Sequence, residues 1–198
     1  MDNSYRSSSP IPNLIQKWAS ENYDKVAAAI NFKGGWEGWA QVEIAYEMVQ
    51  AYSTPMISDR HRRGIKFDVT REAKVYSNKP DDRVDLVIHM PGNALRSDAR
   101  PAYLFELKCE SCGGDAVTAL RTFTQAVKKD SDKFNAATGI KREYLVGNRA
   151  VLYSIAICVT EKGDQWMEDS PYGYTRNPTK PDGSDLISVW WKMKELGP

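Results

Sequence analysis

The chain has few cysteines and histidines and no long apolar run. Three cysteines among 198 residues are an odd number, which argues against a disulfide framework and favours a reducing compartment. Two histidines argue against a zinc hydrolase or a histidine-based nuclease. No apolar stretch approaches the length of a membrane span, and the polar residues 1–5 lack the apolar segment of a secretory signal. We therefore expect a cytoplasmic or nuclear protein without membrane partners, while delivery into another cell by a non-classical route stays open.

The chain also lacks a strong net charge. Its formal charge is +1, so overall charge does not indicate a polyanionic partner. Basic clusters occur at residues 60–63, 128–129 and 141–142, and each is either solvated surface or a phosphate contact. The length fits one domain over residues 1–198, in which the Ser- and Pro-rich residues 1–12 are expected to be flexible.

Cys109 and Cys112 form a Cys-x-x-Cys pair. This is the only spacing between cysteines in the sequence that is typical of metal ligands. A structural zinc site would need a second pair, and Cys158 is a single residue. We therefore interpret both thiols as chemically inert.

The apolar pattern predicts the order helix, helix, three strands, helix and two strands. The expected helices cover about residues 14–30, 36–52 and 115–134, and the expected strands 67–76, 84–88, 103–108, 151–159 and 186–193. Residues 161–185 are rich in Gly, Pro, Asp and Tyr and are expected to be irregular. This order predicts an α/β fold (an α+β mixed sheet) with a central sheet of four to five strands flanked by helices. On the third helix, we expect Gln125 to be exposed and Asp130 and Lys133 to brace a site at the edge of the apolar stripe.

Two short strands carry charges in an apolar setting. Residues 84–88 read VDLVI, and residues 103–108 read YLFELK. Because strand side chains alternate, Glu106 and Lys108 share one face, while their neighbours point into the core. Burying a carboxylate is costly unless it is paired or binds a cation. Asp85, Glu106 and Lys108 are therefore candidates for holding a divalent metal and positioning a water for attack on phosphorus.

At these residues the chain resembles the PD-(D/E)XK nuclease superfamily, which has the restriction-endonuclease-like fold. The matching segments are DRVDLVI with Asp85, YLFELKCES with Glu106 and Lys108, and WEGWAQVEIAYEM with an upstream glutamate. The segments VTREAKVY and FTQAVKKDSDKF are also similar to members of the superfamily, and the likeness covers roughly residues 36–160. The proline of the Pro-Asp pair is absent before Asp85, as it is in many members.

The resemblance implies a metal-dependent nuclease that hydrolyses phosphodiester bonds of nucleic acid, with DNA expected rather than RNA. Asp85 and Glu106 would hold Mg²⁺ or Mn²⁺, with the backbone carbonyl of Leu107 as an extra ligand. Lys108 would orient or activate the attacking water and offset charge on the phosphate. The setting implied is a toxin or effector, a defence enzyme or a repair enzyme, with an inhibitor or immunity protein as a conceivable partner.

The resemblance also implies a helical acid that completes the metal site. Glu43 follows Gln41 in the Gln-x-Glu pattern of the family and is the preferred residue for this role. Glu47 lies one turn further along the predicted helix and is the alternative.

Each of these residues also has a structural interpretation. Asp85 and Glu106 could form ion pairs with Lys108 or neighbouring arginines at a sheet end. Glu43 and Glu47 could lie on a solvated helix face, and Lys108 could extend from a strand edge into solvent. The alternative function is a catalytically inactive domain of the same fold that binds nucleic acid or a protein, because fold does not fix function.

Overall fold

The computed structural model describes residues 10–31, 35–53, 68–89, 101–177 and 187–198. Within these ranges the helices are α1 (Pro10–Glu21), α2 (Tyr23–Ala29), α3 (Glu37–Ser53), α4 (Ala116–Ala136) and α5 (Glu161–Asp169). The strands are β1 (Asp68–Ala73), β2 (Val84–His89), β3 (Ala102–Cys109), β4 (Ala150–Cys158), β5 (Thr175–Arg176) and β6 (Ser188–Leu196). A short 3-10 helix covers Arg142–Tyr144.

The strands form one mixed sheet with helices flanking it, in the order β1-β2-β3-β4-β6-β5. The predicted α/β class is confirmed. The predicted number of four to five strands is wrong, because the described residues contain six. The additional strand is β5, whose two residues pair with Trp190 and Trp191 at the sheet edge. It lies within the turn-rich stretch expected to be irregular, where two residues leave no periodic signal.

The pairing of strands β1, β2 and β3 determines which charged residues lie next to each other. β1 pairs antiparallel with β2, and β2 pairs antiparallel with β3. The second ladder matches Leu86 with Phe105, Val87 with Leu104 and Ile88 with Tyr103. Every residue of β4 is buried, which is typical of a central strand and agrees with its apolar sequence.

By residue contacts the chain divides into two compact units. One unit contains residues 1–44, 107–131 and 155–192, and the other contains residues 45–106, 132–154 and 193–198. Helices α3 and α4 and strands β3, β4 and β6 each include residues of both units. The first unit has a buried cluster that includes Phe123, Val127, Ala156, Met167 and Trp190. The second has a larger one that includes Tyr76, Val87, Leu104, Phe134, Ile140 and Leu152.

Three helical predictions need correction. The expected first helix is two helices, α1 and α2, separated near Asn22, whose side chain donates to the Trp18 carbonyl at 3.0 Å. Residues 10–12, expected to be flexible, begin α1, while residues 1–9 lie outside the described part of the chain.

The third correction is α5, which the composition of residues 161–185 did not suggest. Its start has an ordinary cap, because the Thr160 side chain accepts a hydrogen bond from the Gly163 N–H at 3.0 Å. Acidic residues Glu161 and Asp164 in the first turn also favour a helix there.

In the described parts of the chain, none of the helices has the length and apolar character needed to cross a membrane. The basic cluster at residues 60–63 lies outside the described residues.

Candidate metal centre and its lysine

Asp85 and Glu106 meet because their strands are neighbours. Asp85 directly precedes Leu86 on β2, and Glu106 directly follows Phe105 on β3, and those two partners are paired in the ladder. Continuing the register sets the two acids opposite each other, and opposite residues of an antiparallel pair share one face. Glu106 is 0% exposed, and Asp85 is partly buried. The sequence prediction that these two acids converge therefore agrees with the strand register.

The Glu106 carboxylate is held at both oxygens. The Tyr76 hydroxyl donates to Oε1 at 2.5 Å, and the Lys133 ammonium lies 2.5 Å from Oε2. Lys133 also donates to the backbone carbonyl of Arg83 at 2.7 Å. The partner of Glu106 is thus a lysine of α4 rather than the arginines or Lys108 considered from the sequence. These contacts fix the orientation of the carboxylate in the interior of the protein.

The charge state of Glu106 follows from its surroundings. Burial raises the pKa of Glu106 to about 8, and the Asp85 carboxylate adds to the rise, while Lys133 and Tyr76 oppose it. Desolvation therefore exceeds the attraction of the lysine. Without a further cation the carboxyl group binds a proton near neutral pH. A divalent cation close by would instead keep both carboxylates ionised.

Three carboxylates could hold such a cation. Asp85, Glu106 and Asp130 each offer an oxygen, and these atoms all lie within 4.8 Å of one another. Carboxylate oxygens are the ligands preferred by Mg²⁺ and Mn²⁺. A carboxylate oxygen has more than one lone pair, so Glu106 keeps acceptor capacity beside Tyr76 and Lys133. The residues present therefore fit a hard divalent cation, and Asp130, expected only to brace the site, is a potential ligand.

Lys108 follows Glu106 by two residues on β3, and its amine is bound to acids. Its Nζ lies 2.8 Å from Glu37 and 3.4 Å from Asp130. It also donates to the carbonyl of Leu107 at 3.0 Å, which is the carbonyl predicted as an extra metal ligand. Its side chain is 20% exposed.

The helical acids of α3 have different contacts. Glu43 accepts a hydrogen bond from the indole N–H of Trp39 at 3.2 Å and does not belong to the group of three carboxylates. Glu47 is partly buried one turn further along α3. The helical acid in contact with Lys108 is Glu37, the first residue of α3. Glu43 as a metal ligand stays a prediction.

The sequence offered little sign of several residues around this site. Glu37 lies within the glutamate-rich segment that resembles the nuclease superfamily, but the Gln-x-Glu pattern favoured Glu43 instead. Tyr76 is a single tyrosine at the end of a predicted strand, with no pattern to distinguish it. Gln125 is exposed, as predicted.

Glu110, just beyond β3, is a second buried acid with a structural task. Its carboxylate accepts from the backbone N–H groups of Val159 and Thr160 at 2.8 and 2.9 Å, and from the Thr160 hydroxyl at 2.6 Å. These donors lie at the start of α5, where a negative charge is favourable. Glu110 therefore joins the end of β3 to the start of α5.

All three cysteines are free. Burial raises the pKa of both the Cys112 and the Cys158 thiol, and the Glu110 carboxylate adds to each rise. Both thiols are therefore poor nucleophiles at neutral pH, because the thiolate is the reactive form.

Comparison with protein-family models, with curated proteins and with solved structures finds no match to this chain. The resemblance to the PD-(D/E)XK superfamily therefore depends on the residues themselves.

Proposed function

We propose that this chain is a metal-dependent nuclease that hydrolyses phosphodiester bonds, with DNA as the preferred substrate. The observation that carries the proposal is the approach of three carboxylate oxygens, from Asp85, Glu106 and Asp130, to within 4.8 Å of one another. Lys108 follows Glu106 by two residues on the same strand and therefore points to the same side of the sheet. Buried carboxylates in such proximity repel one another and favour a bound cation.

The proposed fold assignment is the restriction-endonuclease-like core. It is supported by the antiparallel strands β1, β2 and β3, with the acids on β2 and β3, and by helix α4 between β3 and β4. This arrangement agrees with the order of segments on which the resemblance was based.

Asp85 and Glu106 are the proposed ligands of Mg²⁺ or Mn²⁺, with Asp130 as a third. When bound, such an ion polarises a phosphoryl oxygen and lowers the pKa of a coordinated water. Tyr76 and Lys133 hold the Glu106 carboxylate in one orientation, so its ligand oxygens are positioned before an ion arrives.

Lys108 is the proposed catalytic cation. Its ammonium offsets the negative charge that develops on the phosphate and donates a hydrogen bond that orients the attacking water. Glu37 and Asp130 both form ion pairs with this ammonium, and these contacts favour one position of the side chain. Glu37 is therefore a positioning residue, and Glu37→Gln should lower kcat more than it changes KM.

One observation favours the alternative, a catalytically inactive binding module. Lys133 already supplies a positive charge 2.5 Å from Glu106. A protein that had lost its metal could be stabilised by such a lysine. Metal binding separates the two functions, because only the nuclease requires it.

The test is cleavage of plasmid, single-stranded DNA and RNA, with Mg²⁺ or Mn²⁺ and with EDTA. Glu106→Gln and Lys108→Ala should each lose on the order of a hundredfold or more in rate, as expected for a ligand or a positioned proton donor. The matched controls are Glu168→Gln and Lys162→Ala, because both native side chains are exposed on α5.

Equal cleavage by the wild type, Glu106→Gln and Lys108→Ala would refute the assigned site. No cleavage by any of them, with nucleic acid still bound and no effect of Mg²⁺, would favour the inactive module.

A further inference from the structure

A cavity of about 480 Å³ opens beside Lys108 in the first unit. Its lining includes Thr118, Ala119, Thr122 and Ala126 of α4, together with Glu37 and Lys108. Small-molecule sites typically have volumes of about 300–1,000 Å³. The cavity is thus large enough for a ligand of nucleoside size, and Lys108 is one of the residues that line it.

The charges of the lining do not suit a phosphate inside the cavity. Its charged side chains are two carboxylates, Glu37 and Asp115, and one amine, Lys108. The N-terminus of α4 does not add a free anion site, because Asp115 already accepts from the Thr118 N–H at 2.8 Å. A phosphate would be favoured only next to Lys108. The interior suits a neutral group that is attached to that phosphate.

The side chains that line the cavity include several hydrogen-bond acceptors. Thr122 uses its hydroxyl proton on the Thr118 carbonyl, at 2.9 Å, so it offers lone pairs to a ligand. The carboxylates of Glu37 and Asp115 are acceptors when ionised. The aromatic ring of Phe123 and the small side chains of Ala119 and Ala126 provide apolar surface. A flat ring that carries an amino group would complement this lining.

We propose that this cavity binds one unpaired nucleoside of the substrate, adjacent to the phosphate that Lys108 contacts, and prefers a base with an exocyclic amino group. The inference rests on the proposed nuclease function and specifies its substrate. A whole base enters such a cavity only when it is outside the stack of a duplex, as at a strand end or in single-stranded nucleic acid. Cytosine offers an amino group where uracil offers only a carbonyl, so the acceptors of the cavity distinguish them.

The test measures binding of short single-stranded oligonucleotides of deoxycytidine and of deoxyuridine, which lack the methyl group of thymine. Binding is followed by fluorescence anisotropy in a Glu106→Gln background, so that cleavage does not interfere. We expect deoxycytidine to bind about tenfold more tightly, as one hydrogen bond to a charged acceptor would give.

Two variants in the same background examine the cavity itself. Ala126→Leu fills it and should weaken binding of the deoxycytidine strand about tenfold. Thr122→Val keeps the shape, removes an acceptor and should reduce the preference for deoxycytidine over deoxyuridine. The matched control is Ala116→Leu, because Ala116 is exposed on the same helix and outside the cavity. Thermal melting of each variant verifies folding.

The outcomes separate this inference from the proposed function. If the wild type cleaves nucleic acid but Ala126→Leu and Thr122→Val bind like Ala116→Leu, the nucleoside cavity is refuted and the nuclease stands. If the wild type cleaves nothing but binding of the deoxycytidine strand is sensitive to Ala126→Leu, the cavity is supported and the nuclease is refuted. Preferential binding of a blunt duplex over single strands overturns the inference.

Discussion

Replacing Glu106 by glutamine removes the most deeply buried ionisable group of the proposed site and nearly preserves its shape. Folding raises the pKa of Glu106 from 4.5 to about 8, so the folded protein binds this proton more tightly than the unfolded chain. The stability that this group contributes is therefore fully present below pH 4.5, declines as the pH rises, and is lost above about pH 8. The variant should lack that decline.

The size of the effect follows from the same two values. A tenfold change in proton affinity corresponds to about 1.4 kcal/mol. The rise from 4.5 to about 8 therefore corresponds to a loss of roughly 5 kcal/mol across this pH range. That is comparable to the whole stability of many small domains, which is about 5–15 kcal/mol, so the effect should be easy to measure.

The assay is urea denaturation, followed by tryptophan fluorescence near pH 5 and near pH 8.5 in EDTA. The two proteins are compared by the change in their unfolding free energy between the two pH values. The loss of the counter-charge of Lys133 affects Glu106→Gln at every pH, so it cancels in this difference. Glu143→Gln, at an exposed position, is the control. If the wild type and Glu106→Gln change equally with pH, the account of a carboxyl group protonated by burial is refuted. At the higher pH, Mg²⁺ should stabilise the wild type but not Glu106→Gln.

Further predictions concern the residues that hold the site and its strand. Tyr76→Phe should destabilise the protein by about 1.5 kcal/mol and raise the pKa of Glu106 further, because the carboxylate loses a donor; urea denaturation and the pH dependence of stability measure both effects. Glu110→Ala should destabilise by about 3 kcal/mol in urea denaturation, because it leaves several donors at the start of α5 without their carboxylate. Gly163→Ala should lower the melting temperature, because a Cβ there would overlap the Glu110 carboxylate, and an unchanged melting temperature would contradict this contact.

The sheet centre could be predicted from sequence because its strands are continuous apolar runs. β2, β3 and β4 lie within one residue of the expected bounds at each end. The approach of Asp85 and Glu106 followed from placing consecutive strands side by side, which is the common arrangement for neighbouring elements. Local periodicity and short connections were sufficient for this part of the site.

The pairing of those residues could not be predicted, although Lys133 was expected to brace a site, because the pairs depend on contacts between distant parts of the chain. Lys133 and Glu106 are separated along the chain by a turn and most of α4, and Glu37 precedes Lys108 by 71 positions. No local pattern specifies which lysine reaches which acid. Helix α5 was missed for a different reason: its glycine and acidic residues resemble a loop in composition, although Thr160 and the acidic first turn are signals of a helix start.

The alternation of charge at the end of β3 and just beyond it has a consequence for folding. Glu106, Lys108 and Glu110 follow one another at every second position, with signs minus, plus and minus. A strand that slips by two residues usually keeps its apolar side buried and so is a tolerated misalignment. Such a slip would place the Lys108 ammonium next to Lys133 and Tyr76. It would also place the Glu110 carboxylate next to Glu37. The same charges proposed for catalysis would thus make this misaligned pairing unfavourable during assembly of the sheet.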